Sequence, residues 1–215
     1  MTGRPDVDAA YALEGAEDVK ALYRDWAATY DADFIEAMGY VYPREVARIF
    51  LERRRAGDAP VLDVGCGSGA VAGAARVEMD GLDLSPEMLA VARAKGLYGR
   101  TVEGDLLGRL PIPDDTYGAL LSAGTFTHGH VGPQALEECL RVARPGALFC
   151  LGINGAHFEA HGFGAAFARL AETRRISEPD YVDCPIYAAG NHEHAEARAL
   201  VAVFRKSPGT TGEGT

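Results

Sequence analysis

The stretch Val61-Leu62-Asp63-Val64-Gly65-Cys66-Gly67-Ser68-Gly69 joins an apolar run to three glycines at alternate positions. Glycine has no Cβ, so the backbone can turn sharply there and approach a bound molecule closely. A helix that follows such a loop points its free N–H groups toward that molecule. The stretch therefore predicts a strand, a glycine-rich loop and a helix that together bind a nucleotide-like cofactor.

The glycine spacing separates the candidate cofactors. A dinucleotide fingerprint reads G-x-G-x-x-G, whereas Gly65, Gly67 and Gly69 give G-x-G-x-G. The P-loop that cradles triphosphates needs a lysine after its last glycine, and no lysine lies between Lys20 and Lys95. The loop thus lacks the groups expected for a triphosphate, and alone it is also compatible with a plain strand-turn-helix corner.

Two acidic residues follow the next two predicted strands. Asp83 lies at the C-terminal end of the second strand, where open α/β sheets bind ligands and a carboxylate can accept hydrogen bonds from ribose hydroxyls. Ser85 and Pro86 directly after it are typical of a helix start. Asp105 follows the third strand and can accept a hydrogen bond from the exocyclic amine of adenine, although Gly104-Asp105 is also an ordinary turn pair.

Periodicity and turn residues predict alternating strands and helices. Helices are predicted over 17–29, 43–55, 70–75, 86–95, 133–143 and 163–174, and strands over 60–64, 79–83, 100–103, 117–123, 147–153, 181–187 and 199–206. This alternation is typical of a doubly wound α/β sheet. We expect a flexible lead over 1–15, a single domain over 16–206 and a disordered tail over 207–215.

Composition limits the partners. The 215 residues carry a formal net charge of −10, which disfavours a broad phosphate-binding surface and hence nucleic acid. The four cysteines form no C-x-x-C pair and are expected to be reduced, apolar side chains of a cytoplasmic protein. The sequence has no signal peptide and no long apolar run, so we expect no membrane contact. We expect the chain to be a monomer or a homodimer.

In the glycine stretch and in the segments around Asp83 and Asp105, the chain resembles the class I S-adenosylmethionine-dependent methyltransferases. The resemblance is carried by the glycine stretch and by three further segments: 81–89, Gly104-Asp105 and Leu140-Arg141-Val142-Ala143-Arg144-Pro145-Gly146. Two other segments, Tyr23-Arg24-Asp25-Trp26-Ala27-Ala28-Thr29-Tyr30-Asp31 and 124–131, are together similar to the methyltransferase-like group named for the Williams–Beuren syndrome region. The resemblance implies a Rossmann-like, three-layer α/β/α fold whose seven-stranded sheet is mostly parallel, with an antiparallel last strand.

The resemblance also implies S-adenosylmethionine as cofactor and a role for each matched residue. Gly65, Gly67 and Gly69 would approach its methionine and ribose parts, with Asp63 and Cys66 in the same stretch, while Asp83 would hold the ribose hydroxyls and Asp105 the adenine amine. Further cofactor contacts would come from the adenine sandwich, the methionyl end and an N-terminal helix that closes over the site: Leu84, Met88, Leu106, Ser122, Gly124, Tyr23, Trp26 and Tyr30. Core packing is the other interpretation of these three aromatic residues, because they share one helical face.

The expected function is methyl transfer to a small-molecule acceptor, by in-line displacement from the sulfonium. His128 is a candidate base, with a structural hydrogen bond as its alternative role. Asn154, His157, His161 and Tyr187 are candidates for the acceptor pocket, and we expect no metal despite the pair His192 and His194. An NAD-type oxidoreductase and a non-catalytic S-adenosylmethionine-binding protein are the alternative functions. Only thirteen residues separate Gly69 from Asp83, so the helix between them must be short.

Overall fold

A seven-stranded sheet forms the centre of the computed structural model, which describes residues 16–127, 131–188 and 195–208. The strands are β1 (Val61–Val64), β2 (Asp80–Asp83), β3 (Thr101–Glu103), β4 (Tyr117–Phe126), β5 (Ala143–Asn154), β6 (Asp180–Pro185) and β7 (Arg198–Arg205). Their order in the sheet is β3-β2-β1-β4-β5-β7-β6. The first five strands run parallel, and β7 runs antiparallel to both β5 and β6. The predicted mostly parallel sheet with an antiparallel last strand is confirmed.

Helices connect the strands and cover the sheet. The α-helices are α1 (Ala16–Trp26), α2 (Tyr42–Arg53), α3 (Ala70–Ala75), α4 (Pro86–Ala94), α5 (Leu136–Val142), α6 (Gly155–Ala160) and α7 (Phe163–Glu172). A π-helix spans Asp31–Glu36, and short 3-10 helices span Ala56–Asp58 and Pro133–Ala135. Across the part of the chain that the structure describes, none of the helices combines the length and apolar character needed to cross a bilayer.

Alternate residues of the strands bury their side chains on opposite faces of the sheet. In β4, Leu120 belongs to the core that includes Phe163 and Phe167, whereas Ala119 and Leu121 belong to the core that includes α2 and α3 residues. The sheet is therefore covered on both faces, as the near-continuous apolar sequence of its central strands predicts. This arrangement confirms the three-layer architecture.

The turns that shape the candidate site follow from local sequence. The Ser85 hydroxyl accepts a hydrogen bond from the Met88 N–H at 3.2 Å, and Pro86 occupies the first turn of α4, as predicted. Helix α3 has six residues, as its short connection requires, and Arg76 ends it in the left-handed conformation with φ of 52°. These two helices place their N-termini beside the ends of β1 and β2.

Several boundaries differ from the predictions for nonlocal reasons. The predicted helix over 133–143 is a 3-10 turn followed by α5, and β5 begins at Ala143, four residues early, because Ala143 pairs with Tyr117 of β4. The π-helix and α6 were not predicted. The lead 1–15 and residues 209–215 of the tail lie outside the described residues, while the Ser207 N–H donates to the Arg175 carbonyl oxygen at 2.9 Å.

Candidate active site

The glycine loop between β1 and α3 makes a tight backbone turn beneath the end of β4. Gly65, Gly67 and Gly69 all have positive φ, at 66°, 51° and 96°. At Gly65 a Cβ would lie 1.9 Å from the Oγ1 atom of Thr125, so both the backbone conformation and the space require glycine. The loop therefore leaves backbone rather than side chains facing the space above the strand ends.

Asp83 fixes this loop to the end of β2. Its Oδ2 accepts the Gly67 N–H at 2.7 Å, and its Oδ1 accepts the Ser85 N–H at 2.8 Å. Burial raises the pKa of Asp83 above its ordinary value, while the N–H groups of Ser85 and Gly67 favour the charged form and oppose this rise. Each carboxylate oxygen has a second lone pair, so Asp83 can still accept hydrogen bonds from a ligand.

Asp63 is a fully buried residue of β1. Its Oδ2 accepts a hydrogen bond from the Tyr98 hydroxyl at 2.6 Å, whereas Oδ1 is buried without a partner among the described residues. Burial raises the pKa of Asp63 to about 7; the Tyr98 hydrogen bond opposes this rise and the charge of Asp83 adds to it. A buried carboxylate oxygen without a partner is costly and often marks a group that meets a ligand.

A cavity of about 320 Å³ opens above the glycine loop, within the range of small-molecule sites. Most of the predicted cofactor-binding residues line it: Tyr23, Tyr30, Gly65, Cys66, Gly67, Asp83, Leu84, Met88, Asp105, Leu106 and Gly124. The others lie beside or behind its wall: Trp26, Asp63, Gly69 and Ser122. Ser122 is fully buried and donates its hydroxyl to the Val64 carbonyl oxygen at 2.8 Å, so it supports the loop from below.

The N-terminal segment covers this cavity with an aromatic face. The ring centroids of Tyr23 and Tyr30 lie 5.8 Å apart, and the buried Trp26 lies 5.1 Å from Tyr30 and 5.7 Å from Phe34 of the π-helix. Tyr23 and Tyr30 also line the cavity, whereas Trp26 packs behind them. Core packing therefore describes Trp26, whereas Tyr23 and Tyr30 line the cavity, and their contact with the cofactor stays a prediction.

A polar cluster ties the same segment to the glycine loop. The Asp31 carboxylate forms an ion pair with Lys95, which follows α4, and accepts the Ser68 hydroxyl at 2.5 Å. Lys95 also donates to the Ser68 carbonyl oxygen at 2.7 Å. We call Asp31, Ser68 and Lys95 the latch, because they join three elements around the cavity.

Comparison with known proteins assigns this geometry to a family. A family model described as a methyltransferase domain matches residues 62–151, which include the glycine loop, Asp83 and Asp105. Human methyltransferase-like protein 27 is 37% identical over 157 residues, covering 69% of this chain and 62% of that protein. These matches, together with the fold, indicate a class I S-adenosylmethionine-dependent methyltransferase. The family model covers the glycine stretch from Leu62, segment 81–89, Gly104-Asp105 and residues 140–146.

Two further relatives place this methyltransferase among diverse proteins. A demethylmenaquinone methyltransferase of Deinococcus radiodurans is 41% identical over 100 residues, covering 42% of this chain and 41% of that protein. The methyltransferase thus spans about two fifths to three fifths of the length of these curated relatives. The crystal structure of the [4+2]-cyclase SpnF shares the fold, with a TM-score of 0.65 and 17% identity over 92% of this chain and 98% of that one.

The residues of this methyltransferase fit the donor that the family uses, S-adenosylmethionine. The positive-φ glycine loop leaves room for close approach, and Asp83 stands at the end of β2 with remaining lone pairs. Leu84, Met88 and Leu106 supply apolar surface near Asp105, whose Oδ1 accepts the Leu107 N–H at 2.8 Å. The partnerless Oδ1 of Asp63 lies next to the same loop. These residues would hold the ribose, the adenine and the methionyl part of the donor.

The acceptor side of the methyltransferase differs in part from the sequence prediction. Asn154 and Tyr187 line the cavity, whereas His157 is buried with Nε2 3.0 Å from the Val131 carbonyl oxygen, and His161 is exposed at the end of α6. His128, the candidate base, lies outside the described residues, as do His192 and His194. Its role as a base stays a prediction.

Several lining residues of the methyltransferase were not predicted from sequence. Tyr40 and Tyr42 line the cavity with Phe34 and Thr125. Backbone pairing holds this segment in place, because the N–H groups of Val41 and Tyr42 donate to the Ile186 carbonyl oxygen at 3.0 and 3.1 Å. The only sequence signal was a cluster of aromatic residues between α1 and α2, which carries no motif.

Proposed function

We propose that this chain transfers the methyl group of S-adenosylmethionine to a small-molecule acceptor. One observation carries the proposal: a single cavity is lined both by Asp83 and Asp105 and by the aromatic residues around Tyr40 and Tyr187. A donor held at Asp83 and Asp105 would therefore face the aromatic residues, where an acceptor would meet it. The cavity has the size of a small-molecule site, and the net charge of −10 disfavours nucleic acid as acceptor.

When bound, S-adenosylmethionine supplies a methyl group on a sulfonium sulfur; an acceptor lone pair forms the new bond to carbon while the C–S electron pair leaves with sulfur. The work left to the protein is to position the two molecules in line and to exclude water, which is chiefly proximity and orientation. Asp83 and the glycine loop would hold one partner, and the N-terminal segment with Tyr23 and Tyr30 would close the cavity over it. The latch would keep that cover in place.

Calorimetric titration tests the donor. We expect S-adenosylmethionine to bind and NAD not to bind, because the glycine spacing and Asp105 match the first ligand. Asp83→Ala should weaken donor affinity at least tenfold, since two charge-assisted hydrogen bonds to ribose are lost. Glu103→Ala is the matched control, because Glu103 is exposed and stands opposite Asp83 in the β2–β3 pairing. Folded protein that does not bind S-adenosylmethionine contradicts the proposal.

Methyl transfer itself is tested with a labelled donor and a metabolite extract. We expect label to enter a small molecule with the wild-type chain and with Glu103→Ala, and to fall sharply with Asp83→Ala. Donor binding without label transfer to any fraction would favour the non-catalytic alternative instead.

A further inference from the structure

The part of the cavity farthest from Asp105 along the strand ends is lined by aromatic rings. We call it the aromatic wall, and it consists of Tyr30, Phe34, Tyr40, Tyr42 and Tyr187. The centroids of Phe34 and Tyr40 lie 4.7 Å apart, those of Tyr40 and Tyr187 5.7 Å, and those of Tyr40 and Tyr42 6.1 Å. The rings contact one another in tilted and edge arrangements, so they form one contiguous aromatic surface.

The aromatic wall carries no charged group. Among the described residues that line the cavity, the only acidic or basic side chains are Asp83 and Asp105, at the ends of β2 and β3. An anionic acceptor beside the wall would lose its hydration without gaining a partner there, and a cation would regain only part of that loss through contacts with the ring faces. The wall therefore suits a neutral molecule.

Two glycines of the sheet leave space for two tyrosine hydroxyls of the aromatic wall. A Cβ at Gly152 of β5 would lie 2.1 Å from the Tyr42 hydroxyl oxygen. A Cβ at Gly124 of β4 would lie 2.7 Å from the Tyr40 hydroxyl oxygen. Because both glycines lie toward the C-terminal ends of their strands, the two hydroxyls reach the edge of the sheet where the donor's methyl end is expected.

The Tyr42 hydroxyl is the polar group that this arrangement leaves without a partner. Tyr42 is only 2% exposed, lines the cavity, and its hydroxyl has no hydrogen-bond partner among the described residues. Burial of a hydroxyl without a hydrogen bond costs free energy, so such a group calls for an explanation. A ligand atom that bonds to it supplies one.

We propose that the acceptor is a neutral, largely apolar molecule that packs on the aromatic wall and hydrogen-bonds through its polar atom to the Tyr42 hydroxyl. The inference rests on the proposed function, because the acceptor must share the cavity with the methyl donor. Tyr42 acts here as a binding and orienting residue. Burial, followed by the neighbouring Tyr40 hydroxyl and Cys184 thiol, raises the pKa of Tyr42 well above its ordinary value, so the hydroxyl keeps its proton and does not serve as a base.

A charge series of one ring system tests the acceptor class. Naphthol, naphthoate and naphthylmethylammonium are titrated near neutral pH into protein saturated with S-adenosylhomocysteine, with naphthalene fluorescence as the readout. We expect naphthol to bind at least about tenfold more tightly than either charged probe. A charged probe that binds as tightly as naphthol, or naphthol that fails to bind while S-adenosylhomocysteine binds, overturns this inference alone. Protein that does not bind S-adenosylhomocysteine overturns the proposed function and this inference with it.

The variant Tyr42→Phe tests the hydrogen bond. It should weaken naphthol binding about five- to tenfold and leave methylnaphthalene binding unchanged, because only naphthol has a hydroxyl to lose a bond. Its melting temperature should be equal to or above that of the wild type, because the removed hydroxyl is unpartnered. Tyr181→Phe, on the exposed face of edge strand β6, is the control and should change neither affinity. Equal naphthol affinity of Tyr42→Phe and wild type overturns the role of Tyr42.

Discussion

Replacing Asp63 by asparagine should remove a pH-dependent destabilisation of the ligand-free protein. Asp63 is fully buried, and its pKa is raised from 3.8 to about 7, first by burial. Between these two values the folded state binds a proton that the unfolded state does not hold, so the free energy of unfolding falls as pH rises through this window. Below pH 3.8 both states are protonated, and above about pH 7 both are charged, so the slope disappears at either side.

The magnitude follows from the two pKa values. At about 1.4 kcal/mol per pKa unit, the full window is worth about 4 kcal/mol. The part between about pH 5 and pH 8 is worth about 2.5 kcal/mol, because the part of the window from pH 3.8 to about pH 5 lies outside this range. Asp63→Asn cannot ionise, and its side-chain oxygen can still accept the Tyr98 hydroxyl.

Urea unfolding of wild type and Asp63→Asn at these two pH values measures the effect. We expect the variant's advantage in unfolding free energy to grow by about 2.5 kcal/mol from pH 5 to pH 8. In a protein that keeps Asp63, Tyr98→Phe should enlarge the pH dependence of the free energy of unfolding, because the Tyr98 hydrogen bond lowers the pKa of Asp63. Parallel stability curves for wild type and Asp63→Asn across the window would refute a raised pKa at Asp63.

Two other elements of the site give sharp expectations. Asp31→Asn removes the negative charge of the latch, so donor affinity should fall about two- to threefold and depend less on salt concentration. The free energy of unfolding should fall by only about 0.5 kcal/mol, because Asp31 and Lys95 are partly exposed. Donor titration at low and high salt measures the first effect, and an unchanged salt dependence argues against the latch. Gly65→Ala should cost on the order of 2–3 kcal/mol in thermal unfolding, because its Cβ meets Thr125 and its φ is positive. Gly73→Ala, inside α3 with open space at the Cβ position, should instead stabilise by up to about 1 kcal/mol, and equal effects of the two changes would contradict this account.

The sequence predicted the geometry around the glycine loop well because its signals are local. The glycine loop, Asp83 and the Ser85 cap each follow from a few adjacent residues, and the structure brings them together at the ends of parallel strands. Asp63 was named as part of the same stretch, but its burial and its bond to Tyr98, 35 positions away, depend on the folded sheet. Such long-range contacts have no sequence pattern of their own.

The aromatic wall was predicted poorly for the same reason. The Tyr42 hydroxyl reaches the sheet only because residue 152, on a distant strand, is glycine. The start of β5 at Ala143 likewise depends on its pairing with Tyr117, which overrides the helix signal of the preceding residues. Turn chemistry and periodicity describe neighbours in the chain, whereas this wall is formed by neighbours in space.

The pairing of residues 39–42 with 186–188 joins early and late parts of the chain. Gly39 accepts the Ala188 N–H at 2.7 Å, and Ile186 accepts the N–H groups of Val41 and Tyr42. During synthesis, therefore, the strands that bear the donor-binding loops emerge long before this wall can exist. Under the proposed function, substitutions at the wall would change which acceptor is taken while the glycine loop, Asp83 and Asp105 remain as they are. A single donor-binding framework can thus serve many acceptors.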